Sequence, residues 1–230
     1  MATDTKINLN TEDMEKAGLH FGHAVSRLHP KMKPYVSGIK NNVHIIDLKK
    51  TAEEFERALK YIAKLTGEGK IILFVGTKPQ MKQFAREAAE ACNMPYVTER
   101  WLGGTFTNFE TIVKRVQYFK DLEIKRAQGF FEKHTKKERL NIDKEIASLK
   151  VKFEGIRNMD KLPEAALILD MREDETAVRE AKRKGVKVIG VADTNVDPNF
   201  ADYPIFANDD AISSVKYILE KVKETILNSK

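Results

Sequence analysis

The chain reads as an α/β protein: a parallel β-sheet covered by helices on both faces, with a helical hairpin inserted in the middle. Three observations carry this. Apolar runs without polar alternation recur along the chain, and amphipathic helix-like segments separate them, the pattern of strands buried on both faces. The middle of the chain breaks that rhythm with two apolar seams at three- and four-residue spacing, the period of paired helices. A chain of 230 residues that is 42% hydrophobic has enough apolar material for one substantial core plus an appendage.

The elements follow in order. Val43 to Leu48 (VHIIDL) reads as a strand, and Thr51 to Glu54 has the form of a capping box opening a helix that runs to Gly67. Lys70 to Val75 (KIILFV) is a buried strand with Gly76 to Pro79 as its exit loop. A helix from about Gln80 to Cys92 and a short strand at Pro95 to Val97 come next. Ala165 to Met171 is a strand, Asp174 to Lys184 a helix stopped by Gly185, Val186 to Ala192 a strand, and Pro204 to Phe206 a short strand. Asp209 stands where it would cap a last helix, Ala211 to about Asn228.

Thr107 to Glu110 and Thr135 to Glu138 have the form of two further capping boxes, with Gly129 as a turn between them. Phe109, Ile112, Val116 and Phe119 make one seam; Ile142, Ile146, Leu149, Phe153 and Ile156 make the other. A short turn makes the two helices antiparallel, so 107–157 reads as a coiled-coil hairpin projecting from a body built of 1–106 and 158–230. From Glu110 to Asn158 there are 13 Lys/Arg against 8 Asp/Glu, so most of the chain's net charge of +6 sits on this arm. Mixed charge of this kind suits a solvated coiled coil and an RNA contact equally.

The charge pattern is most unusual near the N-terminus. The 31 residues from Lys16 to Ile46 contain no Asp or Glu, although the chain has 34 acids in 230 residues. The window carries Arg27, Lys31, Lys33 and Lys40, with His20, His23, His29 and His44. Without acids to cancel them, these cations leave a positive field that a polyanion can use. Gly22, Pro30, Pro34 and Gly38 predict an irregular loop, in which Arg and Lys contact phosphates while His29 and Tyr35 offer rings. A second cluster, Arg100 to Asn108 (RWLGGTFTN), holds the only Trp. Arg100, Trp101 and Asn108 there, and Lys114 on the first hairpin helix, are further RNA-binding candidates. Packing of Trp101 at the hairpin root fits the same residues.

A third cluster, Ala192 to Pro198, follows a strand and is succeeded by Asp202, Asp209 and Asp210. Loops at the carboxyl ends of parallel strands are where doubly wound sheets bind ligands. His23 with Asp193, Asp197 and Asp209 (or Asp210) forms a candidate structural site for zinc or magnesium. The alternative is that Asp209 caps its helix, Asp193 and Asp197 shape a turn, and His23 meets RNA. The His-x-x-His pair His20 and His23 is by itself too few ligands for zinc. The one cysteine, Cys92, excludes a disulfide framework and a cysteine metal cluster. No apolar run approaches the length of a membrane span, and the polar N-terminus is unlike a signal peptide, so a soluble cytosolic protein is expected. Phosphate-loop, dinucleotide, nucleophile-elbow and zinc-protease motifs do not occur in the sequence.

AGLHFGHAVSRLHPKMKPY (17–35), NNVHIIDLKKT (41–51), ILFVGTK (72–78), RWLGGTFTN (100–108), Lys136 to Glu138, LPEAALILD (162–170) and VADTNVDPNFADYPIFANDDA (191–211) together resemble the bacterial small-subunit ribosomal protein S2 family, in order and over essentially the whole chain. The resemblance implies a Rossmann-like (flavodoxin-like) body with a coiled-coil hairpin inserted after the third strand. It implies a structural, non-catalytic role in the cytoplasmic ribosome, bound to small-subunit ribosomal RNA between head and body. It further implies neighbours among the small-subunit proteins, in many bacteria including the large messenger-binding protein of OB-fold repeats, with no required cofactor, no membrane and no small-molecule substrate. Some members carry a longer acidic tail, whereas this sequence stops at Lys230. A cytosolic nucleotide-binding protein or enzyme using the crevice at Gly76 to Lys78 and Asp193 to Asp197 is the alternative.

Overall fold

The computed structural model describes residues 9–229. Helix α1 (Thr11–Lys16) leads into the acid-free window, and Gly18 turns the chain at φ +79°. The window is not the irregular loop its prolines and glycines predict. It forms a small antiparallel sheet of β1 (Phe21–Ala24), β2 (Val36–Lys40) and β3 (Val43–Ile46), in the order β1-β3-β2. Pro30 opens a 3₁₀ helix, Pro30–Tyr35, where its missing N–H is no loss. Asn41 and Asn42, at φ 51° and 63°, make the left-handed two-residue turn between β2 and β3, the geometry that favours asparagine in hairpins. The strand at Val43 therefore belongs to this sheet and not to the parallel one.

Helix α2 (Leu48–Gly67) starts earlier than expected. Its cap is Asp47, whose side chain accepts from Lys49 N. Thr51 lies inside the helix and donates to Phe206 O at 2.7 Å, which ties α2 to the parallel sheet. That sheet contains β4 (Ile72–Val75), β5 (Tyr96–Val97), β6 (Ala165–Ile168), β7 (Lys187–Ala192) and β8 (Tyr203–Phe206), in the order β5-β4-β6-β7-β8 and parallel throughout. Counted within the sheet this is 2-1-3-4-5, the flavodoxin-like winding, whose direction reverses between β4 and β6.

Strand alternation divides the core in two. Ile72 and Phe74, Ala165 and Leu167, Ile189 and Val191 face one layer, with α2, α3 (Lys82–Cys92) and α7 (Ile212–Asn228). Leu73 and Val75, Ala166 and Ile168, Val188 and Ala192 face the other, with α6 (Glu175–Lys184). Both faces are sealed from water, which explains why these strands are apolar without alternation.

Helices α4 (Phe109–Ala127) and α5 (Lys136–Phe153) bury Ile112, Val116, Phe119 and Leu122 on one side of their contact and Ile146, Leu149 and Phe153 on the other. Tyr118 Oη donates to Glu145, and Arg126 pairs with Asp143. These apolar residues belong to the same continuous cluster as Leu73, Val75 and Ile168, so the pair grows out of the second core layer. Of the three capping boxes read from the sequence, only Thr135 with Glu138 forms. Thr107 instead turns to Glu180, and Asn108 takes the cap position of α4. Helix α7 starts without Asp209 as its cap. Asn208 Oδ1 accepts from Asp210 N and Ala211 N and shapes that turn, while Asp209 points inward. Among the described residues no helix is long and apolar enough to cross a membrane.

Candidate functional site

Strands β4, β6, β7 and β8 all end at one edge of the sheet, and each delivers polar residues there. β4 delivers Thr77 and Lys78, β6 delivers Asp170 and Asp174, β7 delivers Asp193 and Thr194, and β8 delivers Asp209 and Asp210. Lys78 lies at their centre. Its Nζ is 2.9 Å from Asp170 Oδ2, 3.4 Å from Asp209 Oδ1 and 2.6 Å from Asp210 Oδ1. Burial works against the Lys78 charge, but hydrogen bonds to Asp210 and Asp170 outweigh it and hold the ammonium above its ordinary pKa. Asp174 accepts from Thr77 Oγ1 at 2.9 Å, and burial pushes its carboxyl up to about 6. This is the winding reversal, where flavodoxin-like sheets bind small molecules. Here the crevice is filled by the chain's own lysine and carboxylates.

The N-terminal sheet docks on the same edge through β1. His23 N donates to Thr194 Oγ1 at 2.8 Å, and His23 Nδ1 lies 3.1 Å from Asp193 Oδ2. Gly22 permits this approach, since a Cβ there would come within 2.5 Å of Thr194 Cγ2. His23 Nε2 is 3.0 Å from Asn195 Nδ2 and 3.4 Å from Asp210 Oδ2. The hydrogen bond to Asp193 raises the His23 pKa against the opposing effect of burial. Asp209 is 2% exposed. Burial, then repulsion from Asp170 and Asp193, pushes its carboxyl up to about 7 despite Lys78.

His23, Asp193 and Asp209 each offer a ligand atom, and the three atoms lie within 4.8 Å of one another. Asp197, the fourth residue of the metal set read from the sequence, is not among them. It pairs with Lys31 at 2.7 Å and accepts from Asn199 N, capping the 3₁₀ helix Pro198–Phe200. Burial works to raise its carboxyl, but the two donors, with the charge of Lys31, outweigh it and hold it low.

The RNA-binding candidates divide by position. Arg27, Lys33, Lys40, Arg100, Asn108 and Lys114 are exposed. Lys31 is exposed but neutralised by Asp197. His29 is half-buried, and its Nδ1 accepts from Lys31 N. Tyr35 is turned inward and stacks on Phe206 with centroids 3.8 Å apart. Trp101 is 8% exposed and packs edge-on against Phe106. Neither ring is presented to a base; the hairpin-root reading of Trp101 holds.

The residue that organises this root, Glu180 on α6, carried no signal in the sequence, where it is one more acid on an amphipathic helix. Its Oε1 accepts from Trp101 Nε1 at 3.2 Å and Gly104 N at 2.7 Å. Its Oε2 accepts from Phe106 N, Thr107 N and Thr107 Oγ1, each at 3.0 Å. Burial alone would raise its pKa; these donors outweigh burial and lower it.

The model of the family described as "Ribosomal protein S2" matches residues 14–229. Relatives named small ribosomal subunit protein uS2 match over nearly the full chain. That of Coprothermobacter proteolyticus is 43% identical over 215 residues, covering 94% of this chain and 80% of the relative. That of Chlorobaculum tepidum is 46% identical over 226 residues, 98% of this chain and 90% of the relative. That of Dictyoglomus thermophilum is 44% identical over 215 residues, 94% and 87%.

Glu180→Ala strands four backbone or ring N–H donors inside the root, and removing a buried charged acceptor costs about 3 kcal/mol or more. In a thermal melt at neutral pH the midpoint is expected to fall by roughly 10 °C. Because the folded pKa of Glu180 is lowered, its contribution is complete above the ordinary glutamate value and is lost as pH falls through the folded value. The melting difference between the wild type and Glu180→Gln is therefore expected to shrink below about pH 4. An equal difference at pH 7 and pH 3 would contradict the assignment.

Proposed function

We propose that this chain, which belongs to the ribosomal protein S2 family, is a structural constituent of the small ribosomal subunit in the cytoplasm that holds small-subunit ribosomal RNA and neighbouring ribosomal proteins, and catalyses nothing. One observation carries the RNA contact. Lys40 at the end of β2, and Arg27 and Lys33 in the 3₁₀ segments that join β1 to β2, stand exposed in an acid-free segment whose own anchoring consumes Lys31 and His23. Arg100 and Lys114 extend the exposed cations to the hairpin root. Phosphate contacts need cations without intramolecular partners. The alternative of a nucleotide-processing enzyme at the winding reversal is disfavoured by Lys78, which fills that crevice. Changing Arg27, Lys33 and Lys40 together to Gln is expected to lower the salt slope of RNA binding by about three units. An unaltered slope and undisturbed incorporation into the small subunit would refute the contact.

We further propose that residues 107–157 act as a coiled-coil arm that docks neighbours, among them the messenger-binding OB-fold protein, while the sheet stays fixed. Ile146 is buried at the contact of α4 and α5. Ile146→Asp is expected to increase hydrogen exchange along α4 and α5 and leave β4, β6 and β7 protected. Loss of protection throughout the chain would rule out a separable arm.

His23, Asp193 and Asp209 are proposed to hold one divalent ion, zinc or magnesium, joining the N-terminal sheet to the parallel one. One imidazole and two buried carboxylates suit zinc with a water, or magnesium with several. Burial raises Asp209 first, and a cation there would relieve the repulsion from Asp170 and Asp193 that adds to it. Metal analysis of chelator-washed, reloaded protein should find about one ion per chain. Zinc at about 100 times its dissociation constant should add about 2.7 kcal/mol, a rise of roughly 5–10 °C in melting. That rise should vanish in His23→Ala. A trace of metal and no melting shift with either ion would eliminate the site.

A further inference from the structure

A cavity of about 560 Å³ opens beside the filled crevice, between the exits of β6 and β7, the start of α6, and the N-terminal segment from Ser26 to Pro30. Its volume lies within the range of about 300–1,000 Å³ typical of small-ligand sites. Leu28, Met171, Val178 and Val196 contribute apolar surface. Phe200 adds a ring that is 40% exposed, with Lys182 Nζ 4.9 Å from its centroid. The charged residues of the rim are unequally satisfied. Asp197 is neutralised by Lys31 and Glu175 by Arg179. Arg27 and Arg172, both exposed, form no direct ion pair among the described residues; after the hydrogen bond from Lys78, the Arg27 charge is one of those that help to hold the Asp210 carboxyl low.

We propose that this cavity takes one unstacked nucleotide of the bound RNA, its base against the apolar wall and its phosphate between Arg27 and Arg172. The proposal rests on the RNA-binding reading and deepens it. An apolar wall with an exposed ring suits the face of a base, and guanidinium groups suit a phosphate in two-pronged fashion. A duplex cannot insert a base into a cavity, so the RNA offered there is a loop, bulge or end. Arg27 lies on the cavity rim and also in the exposed acid-free segment, just after β1.

The test uses the full chain and a labelled transcript of bacterial small-subunit ribosomal RNA, with adenosine and uridine 5′-monophosphate as the free-nucleotide arm. Ser26→Trp places an indole at the cavity from an exposed position. It is expected to weaken RNA binding about 5- to 100-fold, the scale of one lost base stack, with the salt slope unchanged. Arg172→Gln should weaken binding and lower the slope by about one unit. Phe200→Ala, at an exposed ring, supplies a second variant should the tryptophan perturb folding. It is expected to weaken RNA binding about 5-fold or more. Wild-type RNA binding matched within about twofold by folded Ser26→Trp, or by Phe200→Ala where the tryptophan variant does not fold, overturns the cavity proposal and leaves the RNA reading standing. Tight binding of either free monophosphate combined with that unchanged RNA affinity assigns the cavity to a free nucleotide and also overturns it. Failure of the wild type to bind the transcript overturns the RNA reading and this proposal together.

Discussion

The carboxyl edge of the parallel sheet has to neutralise its own charge, and the arrangement of the molecule follows from how it does so. Asp170, Asp174, Asp193, Asp209 and Asp210 converge there, most of them buried. Such groups cannot all ionise in a poorly solvated site unless cations or donors answer them. Lys78 answers Asp170, Asp209 and Asp210 from the end of β4. His23 answers Asp193 from a different sheet. The N-terminal sheet is thus part of the electrostatic closure of the main one. Its further anchors are His29 N donating to Thr194 O, Asn208 N donating to Leu19 O, and Tyr35 stacked on Phe206.

A second carboxylate performs the opposite task at the other core layer. The loop from Trp101 to Thr107 has no regular structure to satisfy its amides. Glu180 accepts three of those backbone N–H groups, the Trp101 indole and the Thr107 hydroxyl. A buried loop is tolerable only when its donors are satisfied. This one carboxylate therefore lets the chain leave β5, pass over α6 and start α4 at a defined angle. Gly155 completes the root. A Cβ there would meet Tyr96 O at 2.1 Å, so the return from α5 can lie directly against β5.

Much of this was legible in the sequence, and what was missed has physical causes. The parallel strands and their helices stood out because burial on both faces leaves long apolar runs, and α6 ended at Gly185 in a left-handed conformation. Two capping boxes misled, because a threonine three residues before a glutamate fits a cap and a tertiary contact alike. Thr51 and Thr107 use their hydroxyls on Phe206 O and Glu180. The acid-free window looked irregular from its prolines and glycines. The paired asparagines at 41 and 42, a hairpin signal between two apolar stretches, were the overlooked clue. The convergence of His23 with Asp193 and Asp209 could be reasoned from the position of strand ends. The loss of Asp197 to Lys31 could not, because a charge pair 166 residues apart leaves no local trace.

The two halves of the charge pattern explain each other. An acid-free sheet on its own would repel itself and have little apolar surface to hold it: β2 is mostly exposed, and Ile39 is 60% exposed. An acidic sheet edge on its own would resist ionisation, as the raised Asp174 and Asp209 still do. Docking one on the other satisfies both, and geometry sorts the cations. His23 and Lys31 lie near enough to the edge to pair with Asp193 and Asp197 and serve the fold. Arg27, Lys33 and Lys40 form no such direct pairs among the described residues and stay exposed, although the Arg27 charge still acts on Asp210. An exposed cation on backbone that is already anchored has only its side chain to order when an anion arrives, at a cost of about 0.5–1.5 kcal/mol. The acids of the parallel sheet thereby set the orientation of a basic surface that contains none of its own.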